Sequence, residues 1–427
     1  MARRWRLLAV LTFLYGVGAF ALLGVSPLSP FLLEGFGLTR FQVGLLVPAV
    51  YLGGLVFSVP AGRLADRFGL RLCLAGGLTL GGLLLLAAAG TPTFAAFLAC
   101  LVIAGVGWSI VNPALGSAIV ELFPVRERGL AMGIKQMGQT GGGIAAAFVL
   151  PVVAERWGWR GAIVLCGVAV VLLTALGWRP MAWLPARQSL RGAGAPGRQS
   201  TWWWRSRPAI VVFFGAGLGL GMAQSAFLSY LPLFATQALG WSGVGAGALL
   251  GVAQTGGAAA RLGLGAASDR WGGGRRTPFL VLTAALGAVA FVVFAWSPGG
   301  APELAWLVVF LAGAGTLGWT GLYMLLSAEL GGAERAGLMT GIGVWFILAG
   351  ILLGGPLFGL ILDATGSYAV AWLVFALLAG AVAGALGITG AAIHAECRRA
   401  AAQAVVASGM QTQAAGGSAS ETRSPSR

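Results

Sequence analysis

The chain has 427 residues, of which 9% are charged and 58% hydrophobic, against about 25% charged in an average soluble domain. Apolar stretches near the ~20 residues that a helix needs to cross a bilayer recur from end to end, which excludes a soluble fold and indicates an all-α polytopic membrane protein. The net charge of +15 does not indicate a nucleic-acid partner, because the arginines are dispersed between apolar runs rather than gathered in one patch.

Twelve spans are expected, in order about 7–30, 41–61, 72–90, 94–119, 130–153, 161–178, 208–231, 244–264, 278–297, 303–327, 338–361 and 368–392. The first begins with Arg3, Arg4, Trp5 and Arg6, and its apolar run is too long for a signal peptide. With both termini on one side, only Arg40, Arg156 and Arg160 of the 27 basic residues fall outside, with Lys135 and Arg261 inside spans. That bias predicts cytoplasmic termini. The 71 glycines suit membrane helices that approach closely.

Four regions follow from this pattern: an N-terminal six-helix half at 1–178, a basic cytoplasmic linker at 179–207, a C-terminal six-helix half at 208–392 and a tail at 393–427. The tail is rich in Ala, Gly, Ser and Gln, and its composition predicts disorder. The cysteines Cys73, Cys100, Cys166 and Cys397 form no short pair, and the single histidine, His394, has no clustered partners. Neither a metal site nor a disulfide framework is indicated. No cofactor is expected.

The loop between spans 2 and 3 carries Gly62, Asp66, Arg67, Gly69 and Arg71. Gly265, Asp269, Arg270 and Gly272 repeat it between spans 8 and 9 at a constant offset of 203 residues. A second pair of similar segments, Glu127–Ile134 and Glu334–Ile342, precedes spans 5 and 11. Charged loops repeated at one spacing in an apolar chain predict two duplicated, pseudo-symmetric halves.

These residues resemble the major facilitator superfamily of secondary transporters, whose signature between helices 2 and 3 is in outline G-x-x-x-D-R-x-G-R-[RK]; Leu70 stands at the first position after the second glycine. The resemblance covers residues 5 to 392. It implies a small-molecule carrier in the bacterial inner membrane, not an enzyme, in which the halves rock about a midplane site. It also implies a monomer whose partners are substrate and lipid bilayer. On the same resemblance, Asp66 would accept hydrogen bonds from free N–H groups at the start of helix 11, near Gly337–Thr340. Arg67 would pair with Glu121. Gly62, Gly69, Arg71, Gly265, Asp269 and Arg270 complete this expected conformational latch, which would stabilise the outward-facing state. The alternative is that the charges only enforce topology.

Charges within spans are costly and point to function. Lys135 lies about five residues into span 5, and Gln139, Gly142 and Ala146 share its face at helical spacing. A lysine and an amide on a glycine-opened face form a plausible grip for a small anion; alternatively the lysine snorkels. The stretch is also similar to helix 5 of bacterial organic-anion and cyanate-type carriers. Trp108, Asn112, Gln224, Gln254, Trp319, Tyr323 and Trp345 are further candidates for the cavity wall, each weighed against a packing role. Tyr15 and Tyr51 are weaker candidates. Arg261 is expected to snorkel to the nearby surface in a structural role. No Asp or Glu lies near the middle of a span, so a central carboxylate proton relay is not evident. The expected function is transport of a small organic solute, an anion by preference; the alternative is efflux of amphipathic compounds with Lys135 structural.

Overall fold

The computed structural model describes residues 2–181, 207–272, 275–296 and 302–421, with the side chains of 2, 58–67, 112, 113, 117, 120, 125, 126, 129, 302, 303, 332–334 and 400–421 outside the description. The described backbone is helical nearly throughout. Its elements are α1 (Ala2–Leu23), α2 (Ser29–Phe36), α3 (Arg40–Gly44), α4 (Leu46–Phe68), α5 (Leu70–Ala89), α6 (Phe94–Leu122) and α7 (Val125–Met181). After the linker come α8 (Pro208–Gln237), α9 (Gly243–Arg270), α10 (Thr277–Trp296), α11 (Pro302–Leu317), α12 (Thr320–Thr365) and α13 (Tyr368–Glu421).

Two long helices double back. In α7, Gly158 has φ 70° and ψ 170°, a left-handed conformation that glycine adopts without strain. In α12 the reversal lies just beyond Glu329. Gly343 faces Ser327 and Tyr323, and a Cβ on Gly331 would sit 2.7 Å from the Ala336 nitrogen. Among the described residues nine helices are long and apolar enough to cross a bilayer. Counting the fold-back at Gly158, the shorter apolar Leu46–Phe57 and the glycine-rich α9, the path is consistent with twelve crossings. Helix α9 falls short on apolarity because glycines and Arg261 occupy it.

Local chemistry sets the ends. Thr39 and Gln42 form a reciprocal capping box at α3, while Thr93 and Ser242 cap α6 and α9 with their hydroxyls. Gly37 and Gly366 close α2 and α12 in the left-handed conformation. At the other extreme, α13 runs on as helix to Glu421, where composition predicts disorder for the tail.

Arg4, Arg71, Arg207 and Arg276 gather at one end of the bundle, termed here the basic end. Each is held within its own half of the chain. Arg4 pairs with Glu127 at 2.8 Å, Arg71 lies over the Trp178 ring at 3.7 Å and donates to its carbonyl, and Arg207 pairs with Glu396. Arg276 bridges Asp269 at 2.8 Å and Glu329 at 2.7 Å and donates to Ser268. It therefore ties the ends of α9 and the first limb of α12 to the start of α10. Arg276→Ala is expected to cost about 1–2 kcal/mol, since it strands a half-buried carboxylate. The measurement is thermal unfolding in detergent with Arg270→Ala, on the same loop, as the neutral comparison.

Candidate functional site

Two helix pairs join the first half of the chain to the second. α7 runs antiparallel to α9. The Val244 N–H donates to Glu155 at 3.2 Å, Gly247 packs on Pro151 and Ala147, Gln254 donates to the Gly143 carbonyl at 3.1 Å, and Arg261 reaches Thr140 at 3.4 Å. α3 and α4 run antiparallel to the second limb of α12. The Asp363 carboxylate accepts from the Arg40 and Phe41 N–H groups at 3.2 and 2.9 Å, a carboxylate at the positive end of a helix. Tyr230 donates to the Arg40 carbonyl at 2.6 Å.

Ser26 adds a further stitch at the far end, donating to the Leu228 carbonyl. Proline at 232 has no N–H for that carbonyl, so a hydroxyl from the other half of the chain supplies the missing donor. The far end is thus closed by specific polar contacts. Toward the basic end the same helices bear glycines with space around them. Among the described residues, a Cβ on Gly133, Gly263, Gly337 or Gly341 meets nothing within 4 Å.

Between these levels six elements bring polar groups together. Lys135 on α7 is buried, with 6% of its surface exposed, and its Nζ lies 5.0 Å from the Tyr15 ring centroid. That distance suits a cation–π contact. Tyr15 on α1 stacks on Trp108 of α6 at 4.8 Å and an interplanar angle of 3°. Its hydroxyl donates to Gln139 Oε1 at 3.1 Å, and Gln136 donates to the same oxygen at 2.6 Å.

From the other half, Arg261 on α9 donates through Nε to the Leu317 carbonyl at 2.9 Å. Leu317 ends α11, so the guanidinium sits at a negative helix terminus and satisfies an orphan carbonyl. The remaining guanidinium face lies within electrostatic reach of the Tyr15 and Tyr51 phenols, and among the described residues Nη2 meets no acceptor. Arg261 therefore does not snorkel: α9 continues to Arg270, leaving it roughly 14 Å from the helix end at 1.5 Å per residue. A cavity of about 30 Å³, bordered by Ser26, Val47, Val50, Tyr51 and Gln254, lies on the far side of this cluster.

The family model of the Major Facilitator Superfamily matches residues 8–354. The chain belongs to the major facilitator superfamily. It is a multi-pass membrane transporter, not an enzyme. An uncharacterized MFS-type transporter of Mycobacterium tuberculosis (H37Rv) is 29% identical over 86% of this chain and 81% of its own length. Monocarboxylate transporter 11 of Mus musculus is 30% identical over 64% of this chain and 61% of its own. In fold, the chain matches the crystal structure of a bacterial homolog to the human lysosomal transporter Spinster, in an inward-facing and occupied conformation. The TM-score is 0.74 at 16% identity, covering 93% and 97% of the two chains.

For this superfamily member the residues singled out in the sequence separate into groups. Lys135, Gln139, Trp108 and Gln254 lie at or beside the central cluster. The glycine-opened face of α7 is not a void, however, because Gly138 and Gly142 admit the backbone of α1 at Thr12 and Gly16. Gln224 on α8 is buried with an unbonded Oε1. Trp319 and Tyr323 lie in the core of the second half, where Trp319 donates to the Thr316 carbonyl and Tyr323 stacks on Phe213 at 4.5 Å. Trp345 is 56% exposed on α12.

The Asn112 side chain and the latch residues Gly62, Asp66 and Arg67 lie outside the described side chains, as does the pairing of Arg67 with Glu121. Gly69 has φ 81° and opens α5. In the second copy Asp269 pairs with Arg276 at 2.8 Å. The structure adds Arg261 and Tyr15 to this cluster, with Tyr51 at its edge. An arginine deep in a span is a legible signal; an aromatic residue in an apolar helix is a weak one.

Proposed function

We propose that this transporter carries a small organic anion, with a carboxylate held between Lys135 of α7 and Arg261 of α9. The observation that carries this is the convergence of a buried lysine and a half-buried arginine, from opposite halves of the chain, on Tyr15, with no acid in the middle of the helices that bring them. A fixed cation whose guanidinium keeps an N–H free of acceptors among the described residues suits a carboxylate, which accepts such forks in two-pronged geometry. Gln139, Thr140, Gln254 and Tyr51 would supply neutral hydrogen bonds that select among carboxylates by shape.

In this conformation the polar contacts between the halves gather at the far end, while glycines of α7, α9 and α12 toward the basic end have no atom within 4 Å of a Cβ. With the basic end in the cytoplasm, as the arginine distribution favours, it corresponds to a state facing inward. Alternating access then requires the Asp363, Tyr230 and Ser26 contacts to break as the basic end closes. The name of the mouse relative supports a carboxylate as cargo. The absence of a central carboxylate favours charge-coupled exchange or co-migration of protons with the substrate.

The test is uptake into proteoliposomes of labelled small monocarboxylates and of their uncharged amides at equal concentration. Carboxylate uptake at least about tenfold above the amide is expected, since loss of one charged hydrogen bond costs about 1.5–3 kcal/mol. Equal uptake of acid and amide would refute an anion site.

A further inference from the structure

A second cavity, of about 490 Å³, lies away from the central cluster, between the start of α10 and the last membrane turns of α13. Arg275, His394 and Arg398 line its rim, while Pro278, Val281 and Leu386 with Gly387 and Gly390 line its depth. We propose that this groove is a binding site for an anionic phospholipid, the phosphate held by Arg275, His394 and Arg398 and one acyl chain lying along α13.

Charge and depth both point to this occupant. Glu396, the acid nearest on α13, is already engaged by Arg207 and Arg399, and the neighbouring Arg276 is committed to Asp269 and Glu329. Among the described residues Arg275 and Arg398 meet no acid, and both are exposed. Their positive field on this rim is therefore uncompensated. His394 stands 26 residues after Tyr368, at the far-end start of α13, or roughly 39 Å along a helix at 1.5 Å per residue. That places the cationic rim beyond about 30 Å of hydrocarbon, at headgroup level. Leu386 lies roughly 12 Å deeper by the same rise, level with acyl chains.

The groove also opens sideways to lipid. Ile388, one residue from its floor, is 87% exposed, and Leu282 on α10 is 52% exposed. The floor is kept open by glycine: a Cβ on Gly387 would meet nothing within 4 Å, and one on Gly390 would touch Thr277 at 3.3 Å. A free phosphate would leave the apolar floor uncovered. The chain's own segments are poor occupants, because residues 182–206 contain no acid and the tail after Arg399 contains only Glu421. Basic pockets between membrane helices on the positively charged side are a recurring setting for anionic headgroups.

The experiment is native mass spectrometry of the full chain, purified in detergent and titrated with phosphatidylglycerol, phosphatidylcholine or inorganic phosphate, with thermal unfolding as a parallel readout. Wild type is expected to retain phosphatidylglycerol about tenfold better than phosphatidylcholine. R275A/R398A should retain it about 25-fold less well, at about fivefold for each cation near a membrane surface. R275K/R398K, which keeps the charge, should stay near wild type. G387L fills the floor without touching charge and should also weaken retention, with unchanged elution on size exclusion showing that it folds. Equal retention of the two lipids, unchanged retention by R275A/R398A, or stabilisation by inorganic phosphate matching that of phosphatidylglycerol would each overturn the proposal.

Discussion

Arg261→Ala is expected to lower carboxylate transport by about 100-fold, with near-normal amounts of protein in the membrane. Arg261 contributes a cation in a low-dielectric setting, and truncating one partner of a buried charged hydrogen bond costs about 2–5 kcal/mol. Arg261→Lys keeps the charge but not the planar fork that holds the Leu317 carbonyl through Nε while leaving Nη2 for substrate. An intermediate loss of about tenfold is expected for it. Lys135→Ala should resemble Arg261→Ala, because both cations would face one carboxylate. The double variant should then be no worse than about the poorer single, as expected for coupled partners. Counterflow of labelled carboxylates in proteoliposomes reads all four. Additive losses, or full activity in Arg261→Ala, would show that the two cations do not share a ligand.

Gly44→Leu is expected to abolish transport by a different route, holding the far end apart. A Cβ at Gly44 would lie 2.6 Å from both the Gly355 carbonyl carbon and the Tyr230 hydroxyl. These are the backbone of α12 and a tyrosine already donating to Arg40, neither free to retreat. Overpacking of this kind costs about 3 kcal/mol or more when the neighbour is backbone, equivalent to about 100-fold in favour of states with the far end open. The check is a cysteine at Ser29, buried at 1% exposure beside Ser229, in a background lacking Cys100 and Cys397. Its maleimide labelling in detergent should rise steeply in Gly44→Leu and stay slow without it. Slow labelling in both would mean that the α3–α12 contact does not govern access.

The central cluster was partly legible in the sequence. Lys135 and Gln139 stand out because a charge inside an apolar span is anomalous wherever the helix faces. Tyr15 and Tyr51 do not, since aromatic residues fill cores and sites alike and no local period separates the two. Arg261 is legible as a charge within a span, but its depth is not. Its distance from the helix end depended on how far α9 continued past Gly265, and its partners, Thr140 and Leu317, come from other helices. Trp319 and Tyr323 lie in the core of the second half, where the Trp319 indole meets the Thr316 carbonyl and the Tyr323 ring stacks on Phe213, while the Tyr323 hydroxyl is buried with no hydrogen-bond partner among the described residues. The glycines of α7 looked like open space and serve instead to let α1 approach.

By itself the sequence determined the solvent this chain folds in, its helical class, the repeated charged loop and the asymmetry of its arginines. Hydropathy and charge act residue by residue along the chain, and a bilayer leaves helices as the one economical way to satisfy the backbone of a long apolar segment. Only the tertiary structure decided which cation meets which partner. It set Arg261 against Thr140, Asp363 against the start of α3 and Ser26 against the carbonyl that Pro232 leaves free. Such pairs lie 121 to 323 residues apart and depend on how each helix is rotated about its own axis. That rotation is fixed by glycine contacts and packing between helices, which no single stretch of sequence contains.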